Sequence, residues 1–383
     1  MQTTYLDNAA TSFPKPAGVS ERMRFYIDEI GATVNRSVYG PAAQAGLTAL
    51  SLRERLCALF GHNDPTHCIL TPGATASLNM AIKGYLKPGD HCIVSSLEHN
   101  AVMRPLMQLR EIGVTFSRIP ADECGRMRVD LLDSMIQKNT RLIAVTHASN
   151  VFGVLHPAGE VGRIAAKYGI PFLLDAAQTA GHYPVDFGAL RLSALAVPAH
   201  KGLLGPSGIG ALLLSKEFAA SLSPLIAGGT GSASDSEELP PFMPDRYESG
   251  TPNLPGIFGW EESLRFVSER GVAALRAHEM ELAMRFIAGV CDQPGMRVVG
   301  PLAQEERVGV VSLDFPGRDN AQISFALEQE YGILTRCGLH CAPSAHKTLG
   351  TFPAGTVRFS FGWANTLVDA DLAVEAIVIL SKE

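Results

Sequence analysis

The chain has 383 residues, of which 46% are hydrophobic and 18% are charged, so it can bury a large core. Its net charge of −6 at pH 7 gives no basic face for a nucleic-acid backbone and no Lys/Arg run for a membrane surface. We see no signal-peptide pattern at the start and no apolar run of bilayer-spanning length, and we therefore expect a cytosolic protein.

Short apolar segments alternate with helical segments through the middle of the chain. Strand–helix pairs are predicted at 67–70 and 74–84, 91–96 and 98–110, and 141–147 and 160–167; further strands at 114–119, 171–175, 194–197 and 209–215; and a further helix at 129–136. This alternation predicts a mostly parallel sheet with helices on both faces. Because such sheets bind ligands beyond the carboxyl ends of their strands, polar residues just after these segments are the candidates for a site.

The pattern changes after residue 228. Residues 228–255 are rich in Gly, Ser, Pro and acidic residues and predict a long loop. Helices are predicted at 257–269, 272–290 and 321–331, with strands at 296–299, 308–315, 333–336 and 356–361 and a final helix from Asp369. We therefore predict a large α/β domain of residues 16–255. A smaller α+β domain would contain residues 256–383, with residues 1–15 packed on it.

Two candidates follow the predicted strands. Lys201 lies among apolar neighbours, and burial would favour a neutral, nucleophilic amine that can form a Schiff base. A surface lysine whose stem packs on apolar groups fits the same pattern. Asp175 ends the apolar segment 171–174, where it would cap a helix or pair with a cationic ring nitrogen.

The other candidates are weaker when taken singly. The turn 71–75 would offer free N–H groups to a phosphate or simply begin a helix, and His99 would stack on a flat ring or cap a helix. Cys341 is either a reactive loop cysteine activated by His340 or a buried inert one, and Arg358 would hold a carboxylate or form a structural salt bridge. The seven dispersed cysteines indicate no disulfide framework, and too few ligands surround Cys341 for a metal site.

Several of these residues belong to motifs that occur in a familiar order. The motifs are Tyr-Leu-Asp-Asn-Ala-Ala-Thr at 5–11, Thr-Pro-Gly-Ala-Thr at 71–75, Glu-His-Asn at 98–100, Ser-Asn-Val-Phe-Gly at 149–153, Asp-Ala-Ala-Gln at 175–178, His-Lys at 200–201, Gly-Thr-Pro-Asn at 250–253 and His-Cys-Ala at 340–342. With them the chain resembles the class V aminotransferase family, and within it the cysteine desulfurases and selenocysteine lyases. The resemblance implies the fold type I of enzymes that depend on pyridoxal 5′-phosphate (PLP), and a homodimer with shared active sites.

The resemblance also implies how PLP is held. Lys201 would carry it and move protons at the substrate Cα, Asp175 would pair with the pyridinium nitrogen, Gln178 with the phenolic oxygen, and His99 would stack on the ring. Thr75, Ala74 and His200 would surround the phosphate, joined by Thr251 from the other subunit. This chain departs from the family at Pro198, where a serine is common, and at Ala74, where a hydroxyl residue is common. Both departures remove a phosphate contact.

For the substrate, the resemblance implies L-cysteine or L-selenocysteine. Asn150 and Arg358 would hold its carboxylate, and Arg36 would line the same site. Cys341 would take the sulfur as a persulfide, release alanine and pass the sulfur to an acceptor protein. The alternatives are a selenocysteine lyase, a transaminase or another lyase of the family, and a non-catalytic sulfur-carrier scaffold. Cys337 would be either a resolving thiol or a packed cysteine.

Overall fold

The computed structural model describes residues 3–34 and 39–382. Its helices are α1 Ala17–Phe25, α2 Gly40–Phe60, α3 Ala74–Tyr85, α4 Asn100–Arg110, α5 Leu132–Met135, α6 Ala158–Lys167, α7 Lys216–Ser221, α8 Leu254–Arg270, α9 Val272–Val290, α10 Asn320–Tyr331, α11 Pro343–Thr348 and α12 Leu367–Leu380. Its strands are β1 Thr4–Tyr5, β2 Cys68–Thr71, β3 His91–Ser95, β4 Thr115–Ile119, β5 Thr140–Thr146, β6 Phe172–Asp175, β7 Ala194–Pro198, β8 Gly210–Leu214, β9 Arg297–Val299, β10 Val310–Asp314, β11 Ile333–Leu334, β12 Arg336–Gly338 and β13 Thr356–Ser360.

A seven-stranded sheet forms the centre of the molecule, in the order β2-β8-β7-β6-β5-β3-β4. The pairs among β3, β4, β5, β6 and β7 are parallel, which confirms the predicted α/β class. Strand β8 is the exception, because it runs antiparallel to both β7 and β2. The sheet is thus mostly parallel, as predicted, with the segment 209–215 as its reversed member. Its reversal brings the start of β8, rather than its end, to the carboxyl edge of the other strands.

Apolar side chains fill both faces of this sheet. Along β5, Ile143 and Val145 enter a core with residues of α2, α6 and α8. Leu142 and Ala144 enter a second core, with residues of α3, α4 and α7. Successive residues of a strand point to opposite faces, so a strand buried on both faces is apolar throughout. This double burial explains the unbroken apolar segments in the sequence.

A four-stranded antiparallel sheet in the order β12-β13-β10-β9 follows in the C-terminal part. Residues of α9, α10 and α12 pack against it in a third core. Strand β1 pairs in parallel with β11, so the start of the described chain joins the C-terminal part. Helix α8 contributes to the core of the large sheet, and the division into domains at residue 255 stays a prediction.

Some predicted segments differ from the observed ones. The helix expected at 129–136 is a 3₁₀ turn followed by the four-residue α5. The strand expected at 333–336 is divided between β11 and β12, which belong to different sheets. Residues 228–253 form the expected long loop, with one 3₁₀ turn at Asp245–Tyr247. Within the described ranges 3–34 and 39–382, no helix is long and apolar enough to cross a membrane.

Candidate active site

A cavity of about 460 Å³ lies at the carboxyl edge of the large sheet. The segments that follow β2, β3, β5, β6 and β7 all contribute to its wall, as expected for a parallel sheet. Eight of the residues singled out in the sequence line it: Ala74, Thr75, His99, Asn150, Asp175, Gln178, His200 and Lys201. The fold therefore brings together side chains that are more than a hundred positions apart in the sequence.

Lys201 and Asp175 set the electrostatics of this cavity. Burial lowers the pKa of Lys201 to about 8, although the charge of Asp175 acts in the opposite direction. A larger share of the amine is therefore neutral near pH 7 than for an exposed lysine. Burial raises the pKa of Asp175, opposed by an N–H bond from Ala177 (2.9 Å) and by the charge of Lys201. Each charged group thus depends on the other, or on a ligand, for stabilisation.

The beginning of α3 forms one end of the cavity. Its N-cap residue is Gly73, at a φ of 152°, and glycine has no side chain to satisfy the first amides of the helix. Those N–H groups, together with the helix dipole, favour an anion. A Cβ on neighbouring Gly210 would lie 2.7 Å from the Cα of Gly73, so the close approach of β8 to this turn requires glycine there.

His99 is held at the start of α4. Its Nδ1 accepts the N–H of Ala101 (3.0 Å), which places the proton of the neutral ring on Nε2. Burial lowers the pKa of His99 to about 4, and the charges of Lys201 and Arg336 act in the same direction. His99 is therefore a neutral, partly buried ring at the cavity wall.

The preceding residue, Glu98, joins the ends of two strands. Its Oε1 accepts N–H bonds from Ser95 (3.2 Å) of β3 and Thr146 (2.9 Å) of β5. Burial raises the pKa of Glu98 to about 8. The contacts fix the loop from which His99 projects, and the carboxyl group is largely protonated at neutral pH.

Arg358 lies on β13, almost fully buried, beside the cavity rather than in its wall. Its Nη2 donates to Asp7 Oδ1 (2.6 Å), and its Nη1 donates to the backbone oxygen of Asn150 (2.9 Å). Its Nε has no hydrogen-bond partner within the described part of the chain. The guanidinium is thus positioned by Asp7 and by Asn150, which lines the cavity, and its Nε donor is still free.

Cys341 is exposed on the loop between β12 and α11. His340 and Cys341 both have left-handed backbone conformations, with φ values of 47° and 60°. Asn150 and Asn100 both hold this loop: Asn150 Nδ2 donates to the His340 oxygen (2.6 Å), and the Asn100 N–H donates to the Cys341 oxygen (2.8 Å). Cys341 is therefore anchored to the first residue of α4, next to His99.

The structure corrects one expectation about this loop. The His340 ring is buried, its Nε2 lies 3.2 Å from the Thr356 oxygen, and burial places its pKa far below the usual range. His340 is therefore neutral at physiological pH. It does not supply the positive charge that was expected to activate Cys341.

Of the remaining predicted residues, one lies apart from the cavity. Thr251 lines a neighbouring cavity of about 440 Å³, which shares Asn79 and Gly208 with the first. Arg36 lies outside the described residues.

Comparisons with known proteins show the family of the chain. The sequence matches the aminotransferase class-V family over residues 4–372. The chain belongs to the class-V aminotransferase family. A protein named probable cysteine desulfurase from Methanothermobacter thermautotrophicus is 32% identical, with 97% of this chain and 93% of the relative covered. Another of that name, from Pyrococcus abyssi, is 32% identical, with 100% and 95% covered.

Solved structures give the same result for the fold. The apo structure of the cysteine desulfurase from Thermococcus onnurineus superimposes with a TM-score of 0.93 at 32% identity, covering 99% of this chain and 95% of the other. A cysteine desulfurase of Escherichia coli gives a TM-score of 0.87 at 30% identity, with 98% and 94% covered. These similarities confirm the expected PLP-enzyme fold of type I.

Class-V aminotransferases use PLP, and the cavity fits that group. It combines a partly neutral lysine, a buried carboxylate and the uncapped start of α3 within one space. The Nδ1 of His200 is buried in its wall without a hydrogen-bond partner in the described chain, as expected of a donor awaiting a ligand. Among residues 3–34 and 39–382, no group of three His, Cys, Asp or Glu side chains is arranged for a metal ion.

Three residues in or near the cavity were missed in the sequence. Ser207 lines the cavity because β8 is reversed, so the turn before that strand faces the site. Asn79 follows Thr75 by one helical turn and donates to its backbone oxygen (2.9 Å). Arg336 pairs in register with Arg358 and lowers the pKa of Lys201. The helical spacing from Thr75 could have revealed Asn79.

Proposed function

We propose that this class-V enzyme is a cysteine desulfurase that converts L-cysteine to L-alanine and places the sulfur on Cys341. One arrangement carries the proposal: the cavity that contains Lys201 and Asp175 is joined through His99 and Asn100 to an exposed cysteine. The two archaeal relatives named probable cysteine desulfurase support the same reaction, because each covers nearly the whole chain.

The residues at the two ends of the cavity would hold PLP. Asp175 would face the ring nitrogen, with Lys201 at the aldehyde and Gln178 nearby. The N–H groups at the start of α3 would surround the phosphate, with the hydroxyl of Thr75 and Nδ1 of His200. Ser207 offers a further hydroxyl in the same wall, which would offset the donors missing at Pro198 and Ala74. When bound, PLP supplies an electron sink next to the substrate Cα.

This chain's own residues would orient the substrate and move its proton. The free Nε of Arg358 and the side chain of Asn150 would bind the substrate carboxylate. The Nζ of Lys201 would take up and return the Cα proton, a task suited to an amine with a pKa of about 8. His99, which is neutral, would add a flat face without adding charge next to Lys201.

The sulfur step balances without an external oxidant. The thiolate of Cys341 attacks the substrate sulfur, a bond forms between the two sulfur atoms, and the carbon–sulfur bond breaks. The electron pair of the broken bond stays with the substrate Cβ, which takes a proton and becomes the methyl group of alanine. The substrate carbon is thereby reduced, and the sulfur is oxidised to the persulfide level.

We further propose that the enzyme works as a homodimer in which Thr251 of the partner subunit completes the phosphate site. In its own chain Thr251 lines the neighbouring cavity, together with the exposed apolar residues Leu225 and Ile226. Exposed apolar residues around a cavity are typical of an interface. Light scattering should therefore give twice the monomer mass of 40.9 kDa. A monomer with full PLP occupancy would refute this part.

A single-turnover experiment tests the activity. Purified holoenzyme is mixed with L-cysteine, alanine is measured, and the intact protein and its peptides are analysed by mass spectrometry. We expect one alanine per subunit and one added sulfur atom on Cys341.

Three cysteine variants accompany this test. Cys341→Ser should keep PLP but form no persulfide, whereas Cys291→Ser, at the end of α9, should behave like the wild type. Cys337→Ser distinguishes a resolving thiol, whose loss prolongs the persulfide, from a packed one. Alanine release at the wild-type rate by Cys341→Ser would refute the role of Cys341.

A further inference from the structure

A second concave surface lies on the other side of the α4 start from the PLP cavity. It has a volume of about 460 Å³ and is formed by α4, the end of β4 and α11. We call this surface the cationic cleft, after the side chains Arg104, Arg118 and Lys347 that line it.

The three cations lack acidic partners. Within the described chain, none of the three forms an ion pair or a side-chain hydrogen bond. Arg118 lies over the ring of Phe116 (4.9 Å), and Lys347 lies over that of Phe352 (4.8 Å). A chain with a net charge of −6 thus leaves three positive charges concentrated at one exposed site.

The acidic residue of the cleft compensates little of its positive charge, and an apolar residue adds contact surface. Glu98 lines it, but its carboxyl group is bonded to Ser95 and Thr146 and has a pKa raised to about 8 by burial. It therefore offsets little of the positive charge at neutral pH. Met107 adds an exposed apolar surface in the cleft, and such adaptable side chains suit protein contacts.

The cleft adjoins the sulfur-carrying residue directly. Asn100 lines the cleft and donates its N–H to the Cys341 oxygen (2.8 Å). Pro343 and Ser344, which also line it, follow Cys341 after one residue. A segment seated in the cleft would therefore lie next to an exposed thiol that the anchored loop holds in place.

We propose that the cationic cleft is the docking surface for the sulfur-acceptor protein, and that it recognises an acidic segment of that protein beside its acceptor cysteine. The inference rests on the proposed desulfurase function. The acceptor thiolate attacks the outer sulfur of the Cys341 persulfide, the bond between the two sulfur atoms breaks, and Cys341 leaves as a thiolate. The reaction moves one sulfur atom and needs no oxidant or reductant.

The test uses holoenzyme that has been loaded by one turnover of L-cysteine and freed of excess substrate. Two synthetic peptides serve as acceptors, each with one cysteine, flanked by aspartate and glutamate in one and by lysine in the other. We expect the acidic peptide to remove sulfur from Cys341 about tenfold faster or more, with an advantage that falls as salt is added. Mass spectrometry of enzyme and peptide follows the transfer.

A triple variant locates the effect. Arg104→Glu, Arg118→Glu and Lys347→Glu together should abolish the preference for the acidic peptide or reverse it, while the persulfide still forms in a single turnover. The matched control is Lys138→Glu, an exposed lysine between α5 and β5, which should keep the preference. Retained persulfide formation shows that the variant is folded, and the salt dependence of the wild type requires no variant.

A binding measurement separates this proposal from the proposed function. A fluorescent acidic peptide with serine in place of cysteine should bind the protein with or without PLP, and should bind the triple variant at least about tenfold more weakly. If the wild type forms no persulfide, the proposed desulfurase function is refuted. The fluorescence anisotropy of the labelled peptide still shows whether the cationic cleft binds an acidic segment.

Three results would overturn the docking proposal. The first is equal rates for the two peptides on the persulfide enzyme. The second is an unchanged preference in the triple variant. The third is that mercaptosuccinate, a small acidic thiol, removes sulfur from Cys341 as fast as the acidic peptide does. The cleft would then select a small molecule rather than a protein segment.

Discussion

Replacing Lys201 with methionine should make the cofactor-free fold more stable at neutral pH. Burial lowers the pKa of Lys201 from its ordinary value of 10.5 to about 8, so the charged amine is less stable in the folded chain than in the unfolded one. Methionine has a similar length, carries no charge and packs well in irregular space. The substitution therefore removes an unfavourable charge while keeping most of the side-chain volume.

The magnitude follows from the pKa difference. A fall from 10.5 to about 8, at roughly 1.4 kcal/mol per pH unit, corresponds to about 3 kcal/mol at pH 7. Below pH 8, Lys201 is charged in both states and the full penalty applies. Between about pH 8 and 10.5 only the unfolded chain keeps the proton, so the stability of the wild type rises with pH. At pH 10 the advantage of the variant should shrink to about 1 kcal/mol.

Urea denaturation of the cofactor-free proteins measures this difference. Wild type and Lys201→Met are compared at pH 7 and pH 10, with Lys138→Met as a control for removing an exposed lysine. The control should match the wild type at both pH values. The reasoning fails if Lys201→Met is no more stable than the wild type at pH 7, or if its advantage is the same at both pH values.

Three further predictions concern neighbouring groups. Asp7→Ala should lower the free energy of unfolding by about 3 kcal/mol, because it leaves the buried Arg358 without its carboxylate. The variant should also raise KM for L-cysteine more than it lowers kcat. An unchanged urea midpoint would contradict the prediction. Glu98→Gln should gain stability relative to the wild type as pH rises from about 5 to 8, since in that range the unfolded chain releases the Glu98 proton while the buried carboxyl keeps it; parallel pH profiles would argue against this. Cys341→Ala should lose turnover of L-cysteine but keep turnover of L-selenocysteine, whose carbon–selenium bond is weaker, and equal loss on both substrates would refute a nucleophile needed only for sulfur.

The sequence predicted the large sheet well, because its strands are buried on both faces. Segments such as 171–175 read as unbroken apolar runs that end in a polar residue, and this placed Asp175 at the edge where the cavity lies. The direction of β8 was not predictable in the same way. A doubly buried strand has the same apolar pattern whichever way it runs, so its reversal and the position of Ser207 appear only in three dimensions.

Helix α2 was missed for a related reason. The buried residues of its first half are the alanines Ala42, Ala45 and Ala49, while Leu47 and Leu50 in the same half are exposed. Apolar residues therefore surround the helix, and no clear period emerges. The protonation state of His340 could not be predicted either, because the sequence does not tell whether a histidine ring is buried and neutral or exposed and charged.

The left-handed backbone conformations of His340 and Cys341 reduce local stability, although position 341 needs a side chain for its proposed chemistry. A residue with a Cβ in this conformation costs about 1 kcal/mol or more, and glycine would adopt it without strain. The backbone strain would thus fall if position 341 lost its side chain, yet that side chain is the proposed sulfur nucleophile. Hydrogen bonds donated by the Asn100 backbone N–H and by the Asn150 side-chain amide hold the loop in this strained conformation, so the thiol is positioned before substrate binds.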